Sequence, residues 1–340
     1  METMHLEFEP HPLLKNGHAM TIAAALVPRR FDLPPAEARR FQVDGDSFLL
    51  GHCHWQPGKG KRAPVLVLVH GLEGSSDSNY MRGIAEKAFH RGFHVVRLNQ
   101  RNCGGTEDLT PTLYNSGMSG DYRSVFEELS HRDGYEQVFF AGYSMGGNLV
   151  TKMAGEFADA APPALRGVCA VCPALDLAAC ADALERTENY LYQRRFVSGL
   201  MDRYARKQKL FPQRYPRNGL RSIRTVREFD DVITAPQFGY RDAQDYYEHV
   251  GAKHVASQIR MPFLMITAQD DPFVPYTSFL AAKIIDNSAS SSGFCSMNPA
   301  IRFIAPPHGG HCGFISKHRG PERYWAERRI VEFCEELIVK

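Results

Sequence analysis

Four stretches of the chain carry residue types that can do chemistry together. Gly142-Tyr143-Ser144-Met145-Gly146 offers a serine between two glycines. A serine hydroxyl is a weak nucleophile until a base takes its proton, and the base in turn needs an orienting acid. His308-Gly309-Gly310-His311-Cys312-Gly313-Phe314 offers two histidines, and His311, deeper among the glycines, is favoured over His308 as that base. Gln269-Asp270-Asp271-Pro272-Phe273 offers two adjacent carboxylates. Side chains alternate at a strand end, so only one of them can face the base. Asp271 is favoured, Asp270 stays open, and Asp176 is a third alternative. His70-Gly71-Leu72-Glu73-Gly74 offers a glycine-flanked loop whose backbone can bend close to the serine. Acyl transfer builds negative charge on a carbonyl oxygen, and backbone N–H groups must be aimed at it beforehand. Leu72 and Met145, the residue after the serine, are the candidate donors.

These residues need a scaffold, and the apolar pattern supplies one. Pro64 to His70 (PVLVLVH) is a nearly continuous apolar run, as a strand buried on both faces should be. His94–Leu98, Val138–Tyr143, Gly167–Cys172, Pro262–Ala268 and Ile301–Ile304 read as further strands, with Phe41–Val43 and Phe48–Trp55 before them. Helical patterns cover Asn79–Arg91, Ser119–Arg132, Gly147–Phe157 and Glu322–Ile338. The alternation predicts an α/β fold, a mostly parallel sheet covered by helices on both faces. Ser144 then stands at a strand-to-helix turn, where flanking residues must be small because strand and helix approach closely. That context, more than the five-residue pattern, makes it a nucleophile candidate.

The alternation lapses between about residues 178 and 258. The chain divides into an N-terminal extension with the first strands (1–60), a core (61–177 and 259–340) and a helical insertion placed as a cap (178–258). Asp286 to Pro299, rich in Ser, Asn and Gly, reads as a surface loop.

Composition narrows the function classes. The chain has 340 residues, net charge +2 and 44% hydrophobic residues, which gives no global pull toward nucleic acid. No run approaches the ~18 apolar residues of a membrane span. Met1 to Leu14 lacks the basic and apolar regions of a signal peptide, so a cytoplasmic location is expected. Eight cysteines are too sparse for a disulfide scaffold. Cys169-Ala170-Val171-Cys172 has redox-pair spacing, but it lies in a strand, where residues three apart face opposite sides and the thiols should not meet. His308, His311 and Cys312 are competent metal ligands, yet no second ligand pair with zinc spacing accompanies them, and no metal is expected. From Arg194 to Arg227 there are eleven Lys or Arg and one acid, Asp202. The plain reading is a solvated helical face paired to acids elsewhere. Contact with anionic lipid through 194–227 is a second, and nucleic-acid binding a weaker third because no recognition motif accompanies the charge.

At this point the sequence resembles a known family, the YheT-like branch of the α/β-hydrolases. The resemblance covers most of the chain. It rests on His11-Pro12-Leu13-Leu14-Lys15-Asn16-Gly17-His18 followed by Thr21, on His70 to Ser76 and on Asn99-Gln100-Arg101-Asn102-Cys103-Gly104-Gly105. Gly142 to Asn148, Asp270-Asp271-Pro272-Phe273 and Gly309-Gly310-His311 complete it. It implies a Ser144–Asp271–His311 triad, no metal and no organic cofactor. It also implies an esterase or lipase acting on short- to medium-chain acyl esters. The alternatives are an acyltransferase passing the acyl group to an alcohol, or a non-catalytic ligand-binding member of the fold. Oligomeric state is left open.

Overall fold

The computed structural model describes residues 7–216, 220–286 and 296–339. Eight strands form one sheet: β1 Glu37–Asp44, β2 Ser47–His54, β3 Val65–Val69, β4 His94–Asn99, β5 Val138–Tyr143, β6 Leu165–Val171, β7 Phe263–Ile266 and β8 Ile301–Ile304. Their spatial order is β1-β2-β4-β3-β5-β6-β7-β8. The β1–β2 and β2–β4 pairs are antiparallel, and every pair from β4 to β8 is parallel. The helices used below are α1 Gly17–Leu26, α2 Asn79–His90, α3 Ser119–Glu127, α4 Met145–Phe157, α5 Leu177–Leu184, α6 Tyr190–Leu210, α7 Val226–Phe229, α8 Ala243–Val250 and α9 Trp325–Glu336.

The apolar run of β3 explains the layering. All five of its residues are buried. Val65, Val67 and Val69 join one core with Phe126 of α3 and with Leu149 and Met153 of α4. Leu66 and Leu68 join the opposite core with Ile84 of α2 and Ile330 of α9. Successive side chains point to opposite faces, so a strand with helices on both sides needs apolar residues at every position. The edge strand β1 shows the contrast: only Phe41 among its eight residues is buried.

Topology fixes where chemistry can occur. The chain steps from β3 to β4 on one side, then crosses back to β5 on the other. In such sheets ligands bind beyond the carboxyl ends of the strands at this reversal. The loop carrying His70–Gly74 leaves β3, and Ser144 leaves its neighbour β5. Asp270 and Asp271 follow β7, and His308 and His311 follow β8, at the same end of the sheet.

The predicted helix over Ser119–Arg132 is α-helical to Glu127 and continues as a wider π turn over Glu128–Arg132. Between β6 and β7 the described residues form helices and turns without a strand. Residues 287–295 of the surface loop read in the sequence lie outside the described residues.

Candidate active site

Ser144 occupies a sharp turn with φ 54° and ψ −118°, at the start of α4. A non-glycine residue at positive φ is strained by about 1–3 kcal/mol and persists only where its surroundings enforce it. Here they do. The Ser144 N–H donates to Val171 O at 2.9 Å, and Ser144 O accepts from Asn148 N–H at 3.0 Å. A Cβ on Gly142 would lie 2.2 Å from Gly146 O, and one on Gly146 would lie 2.4 Å from His70 O. Both flanking glycines are therefore required by contact.

The loop after β3 is set by hydrogen bonds that leave one donor over. Gly71 N–H donates to Tyr80 Oη at 3.0 Å, Glu73 N–H to Tyr114 Oη at 3.3 Å, and Gly74 N–H to Gly71 O at 3.1 Å. Among the described residues Leu72 N–H has no such partner, and Leu72 lines the cavity that Ser144 and Met145 also line. Buried His70 orients this loop. Gln100 N–H donates to His70 Nε2 at 3.1 Å, so Nδ1 carries the proton and donates to Gly71 O at 2.8 Å. Burial pushes its pKa down to about 4, which keeps the ring neutral.

The two aspartates and two histidines sort into separate pairs. His311 Nδ1 lies 2.8 Å from Asp271 Oδ2, whose side chain is fully buried. Asp271 Oδ1 accepts from Phe273 N–H and Val274 N–H at 2.9 and 3.0 Å. Asp270 Oδ1 accepts from Gly310 N–H at 2.8 Å, and Asp270 Oδ2 lies 3.3 Å from His308 Nδ1. Asp176 is elsewhere, capping α5 through Ala179 N–H and pairing with Lys253 at 3.5 Å. Ser144 and His311 line the same two cavities. No hydrogen bond joins the two; bonds of this kind tighten in the transition-state complex. Burial works against a charged His311 ring, but Asp271 and then Cys312 outweigh it and hold its pKa well above 6.5. If His311 serves as the base, it must be neutral to accept a proton, and a raised pKa then moves the acid limb of activity upward. kcat/KM is expected to rise with pH through an apparent pKa above the ordinary histidine value, measured as a pH–rate profile; a limb at or below 6.5 contradicts this.

Two contacts invisible in the sequence hold the loops. Thr21 of α1 accepts the His311 N–H at 2.8 Å and donates to Gly17 O at 2.6 Å. Gly17 fits so closely that a Cβ there would lie 2.0 Å from Asp270 O. On the other side, Arg203 of α6 donates to Glu73 through Nε and Nη2, both at 3.1 Å, and to Asn102 O. Arg203 and Glu73 are 6% and 12% exposed, so removing one partner leaves a charge desolvated and unpaired. Arg203→Met is expected to destabilise the fold by about 3–5 kcal/mol. Adding Glu73→Gln should recover part of that loss, as read by denaturant titration.

This pair also bears on the basic stretch. Besides Arg203, Arg206 pairs with Glu107 at 2.5 Å, Lys207 is buried on the carbonyls of Glu107 and Thr110, and Arg227 meets Glu185 and Asp182. Arg194, Arg195, Lys209, Arg214 and Arg224 are exposed. Arg217 and the side chain of Arg221 lie outside the described residues.

The thiols of Cys169 and Cys172 do not meet, but strand alternation is not the whole reason. Both join the same core layer, because Cys172 lies past the end of β6 in a left-handed turn with φ 45°. Cys169 neighbours Cys334, and Cys172 neighbours Cys312. Among the described residues the trio whose ligand atoms lie close enough to share a metal is Cys172, His311 and Cys312, without His308. Burial and the Cys312 contact push the Cys172 thiol well above its ordinary value, so it keeps its proton.

Two spaces meet at Ser144 and His311. One is an apolar cavity of about 110 Å³ beneath α5, α6 and α7, lined by residues such as Leu177, Leu184, Leu200 and Phe229. The other is an open cleft of about 490 Å³ between α1, α2 and the start of α6, lined by Ile22, Leu26, Tyr192 and Arg195 among others.

Known proteins are similar to this chain. The sequence profile of the alpha/beta hydrolase fold family matches residues 64–318. The chain is 32% identical over 329 residues to YheT of Escherichia coli (strain K12), covering 96% of this chain and 92% of that protein. It is 30% identical over 289 residues to a monoacylglycerol lipase of Saccharomyces cerevisiae, covering 82% of this chain and 61% of the lipase. Est1E from Butyrivibrio proteoclasticus shares the fold with a TM-score of 0.54 at 15% identity, over 89% of this chain and 99% of Est1E. With its sheet order, its strained turn after β5 and these similarities, the chain belongs to the α/β-hydrolase family, on the YheT-like branch.

Proposed function

We propose that this protein hydrolyses carboxylic esters through an acyl-Ser144 intermediate, with His311 as general base and acid and Asp271 as the acid that orients it. The observation that carries this reading is the 2.8 Å Asp271–His311 pair opening onto the same cavity as the strained Ser144. His311 Nδ1–H donates to Asp271, which leaves Nε2 free to take the hydroxyl proton as Ser144 attacks the ester carbonyl. The N–H groups of Leu72 and Met145 receive the developing oxyanion. The imidazolium then protonates the leaving alcohol, and water, activated by the same ring, releases the acid. The names of its relatives, which include a monoacylglycerol lipase and the phospholipase ABHD3 of Mus musculus, support an ester substrate. A fluorophosphonate probe should label the wild-type protein and leave Ser144→Ala unlabelled. Equal labelling of both would sink the assignment.

The two spaces divide the substrate. The apolar cavity takes the acyl chain, and the open cleft takes the alcohol portion and admits water. An alcohol entering by that cleft could accept the acyl group in place of water. The apolar lining favours short- to medium-chain acyl groups over acetyl. In a p-nitrophenyl ester series kcat/KM is expected to rise from acetate toward medium chains; activity confined to acetate would contradict the acyl-pocket reading.

A further inference from the structure

Cys172 and Cys312 stand back to back behind the base. Both have positive φ, 45° and 58°, a region that non-glycine residues seldom occupy. Cys312 N–H donates to Cys172 Sγ at 3.3 Å. Cys172 Sγ lies 3.7 Å from Gly310 O, and Cys312 Sγ lies 3.8 Å from Val171 O. The two sulfurs and a nitrogen of His311 all lie within 4.8 Å of one another. Among the described cysteines only Cys312 is not buried, and it lines the open cleft. Cys172 is fully buried behind it. Burial alone would raise the Cys312 thiol, but the Cys172 hydrogen bond and the His311 charge pull it down to about 6. The chain therefore sets a reachable thiolate directly against a protonated, unreachable thiol, the usual division between an attacking and a resolving cysteine.

We propose that Cys312 is a peroxide-reactive modification site resolved by Cys172, and that the resulting reversible disulfide disables His311. The Cys312 thiolate attacks hydrogen peroxide; an S–O bond forms, the O–O bond breaks, and hydroxide leaves. The Cys172 sulfur then attacks the Cys312 sulfenic acid; the S–S bond forms, the S–O bond breaks, and the departing hydroxide takes the Cys172 proton as water. In sum one thiolate and one thiol are oxidised to a disulfide, and one peroxide is reduced to a water and a hydroxide, which takes from solvent the proton that the Cys312 thiol gave up on ionising. Closing the bond draws Cys312 toward the end of β6, and His311, its chain neighbour, must move with it. A displacement of about 1 Å at a catalytic group can cost about a hundredfold in rate. The chain carries its own control: Cys169 and Cys334 are also neighbours, but both are buried, and burial holds the Cys169 thiol well above its ordinary value.

The test treats the full-length protein with hydrogen peroxide. The expected result is a loss of two hydrogens in intact mass, a peptide cross-link joining Cys172 to Cys312 and none joining Cys169 to Cys334. Ester hydrolysis should fall about a hundredfold and return with dithiothreitol. Cys312→Ser should keep its own starting activity under peroxide and form no cross-link. Cys172→Ser should hold a sulfenic acid that dimedone traps. If that buried variant does not fold, the wild-type cross-link decides alone. Wild-type protein that gains no Cys172–Cys312 bond overturns the proposal, as does a bond that leaves hydrolysis unchanged. The loss of activity rests on the Ser144–His311 reading, whereas the cross-link is read by mass and stands or falls separately from it.

Discussion

Replacing Ser144 by alanine is expected to lower kcat on p-nitrophenyl esters by about 10⁶-fold, to a rate that only the remaining donors and binding sustain. Alanine keeps the Cβ, so the positive-φ turn and its hydrogen bonds to Val171 and Asn148 persist. The folded state should melt within a degree or two of the wild type, by the usual small effect of a change that opens no large cavity. Loss of activity with an unchanged melt isolates the hydroxyl. A fall of less than about tenfold would mean that some other group attacks the ester.

The second large effect separates two neighbouring carboxylates. Asp271→Asn is expected to lower kcat by about 10⁴-fold, because an amide facing His311 Nδ1 can donate and so put the ring in the wrong tautomer. Nε2 would then carry the proton and could not accept one from Ser144. Asp271 has no slack to avoid this, since its side chain is fully buried and its other oxygen already accepts the Phe273 and Val274 N–H groups. Asp270→Asn keeps a carbonyl oxygen for Gly310 N–H and touches only the half-exposed His308. Its kcat should stay within about tenfold of wild type. Steady-state kinetics on both variants decide the matter, and the opposite ranking would move the orienting role to Asp270.

What could be read from the sequence follows the range of the contacts involved. The turn at Ser144 is local: a buried strand, a serine between two glycines and a helix are all neighbours along the chain. The loop that carries Leu72 is local in the same way, a glycine-flanked stretch directly after a strand. The choice between Asp270 and Asp271 was not settled locally, because it depends on which oxygen meets a loop forty residues later. Thr21 and His311 are 290 positions apart, and Arg203 reaches Glu73 across 130. No periodicity reports such pairs. The full extent of β1 escaped as well, since an edge strand with polar residues on its open face carries almost no apolar signal.

The latch from α1 to the base loop has a consequence in time as well as in space. During synthesis the chain emerges in order, Thr21 before Ser144 and Ser144 before His311. On the proposed triad, a growing chain that already contains β3, β5 and β6 carries the serine turn while the base is still unmade. On the proposed triad, hydrolysis follows only once the segment after β8 has been made and has folded back onto α1. A chain cut short between Ser144 and His311 would keep the proposed nucleophile, lack the proposed base and remain inert.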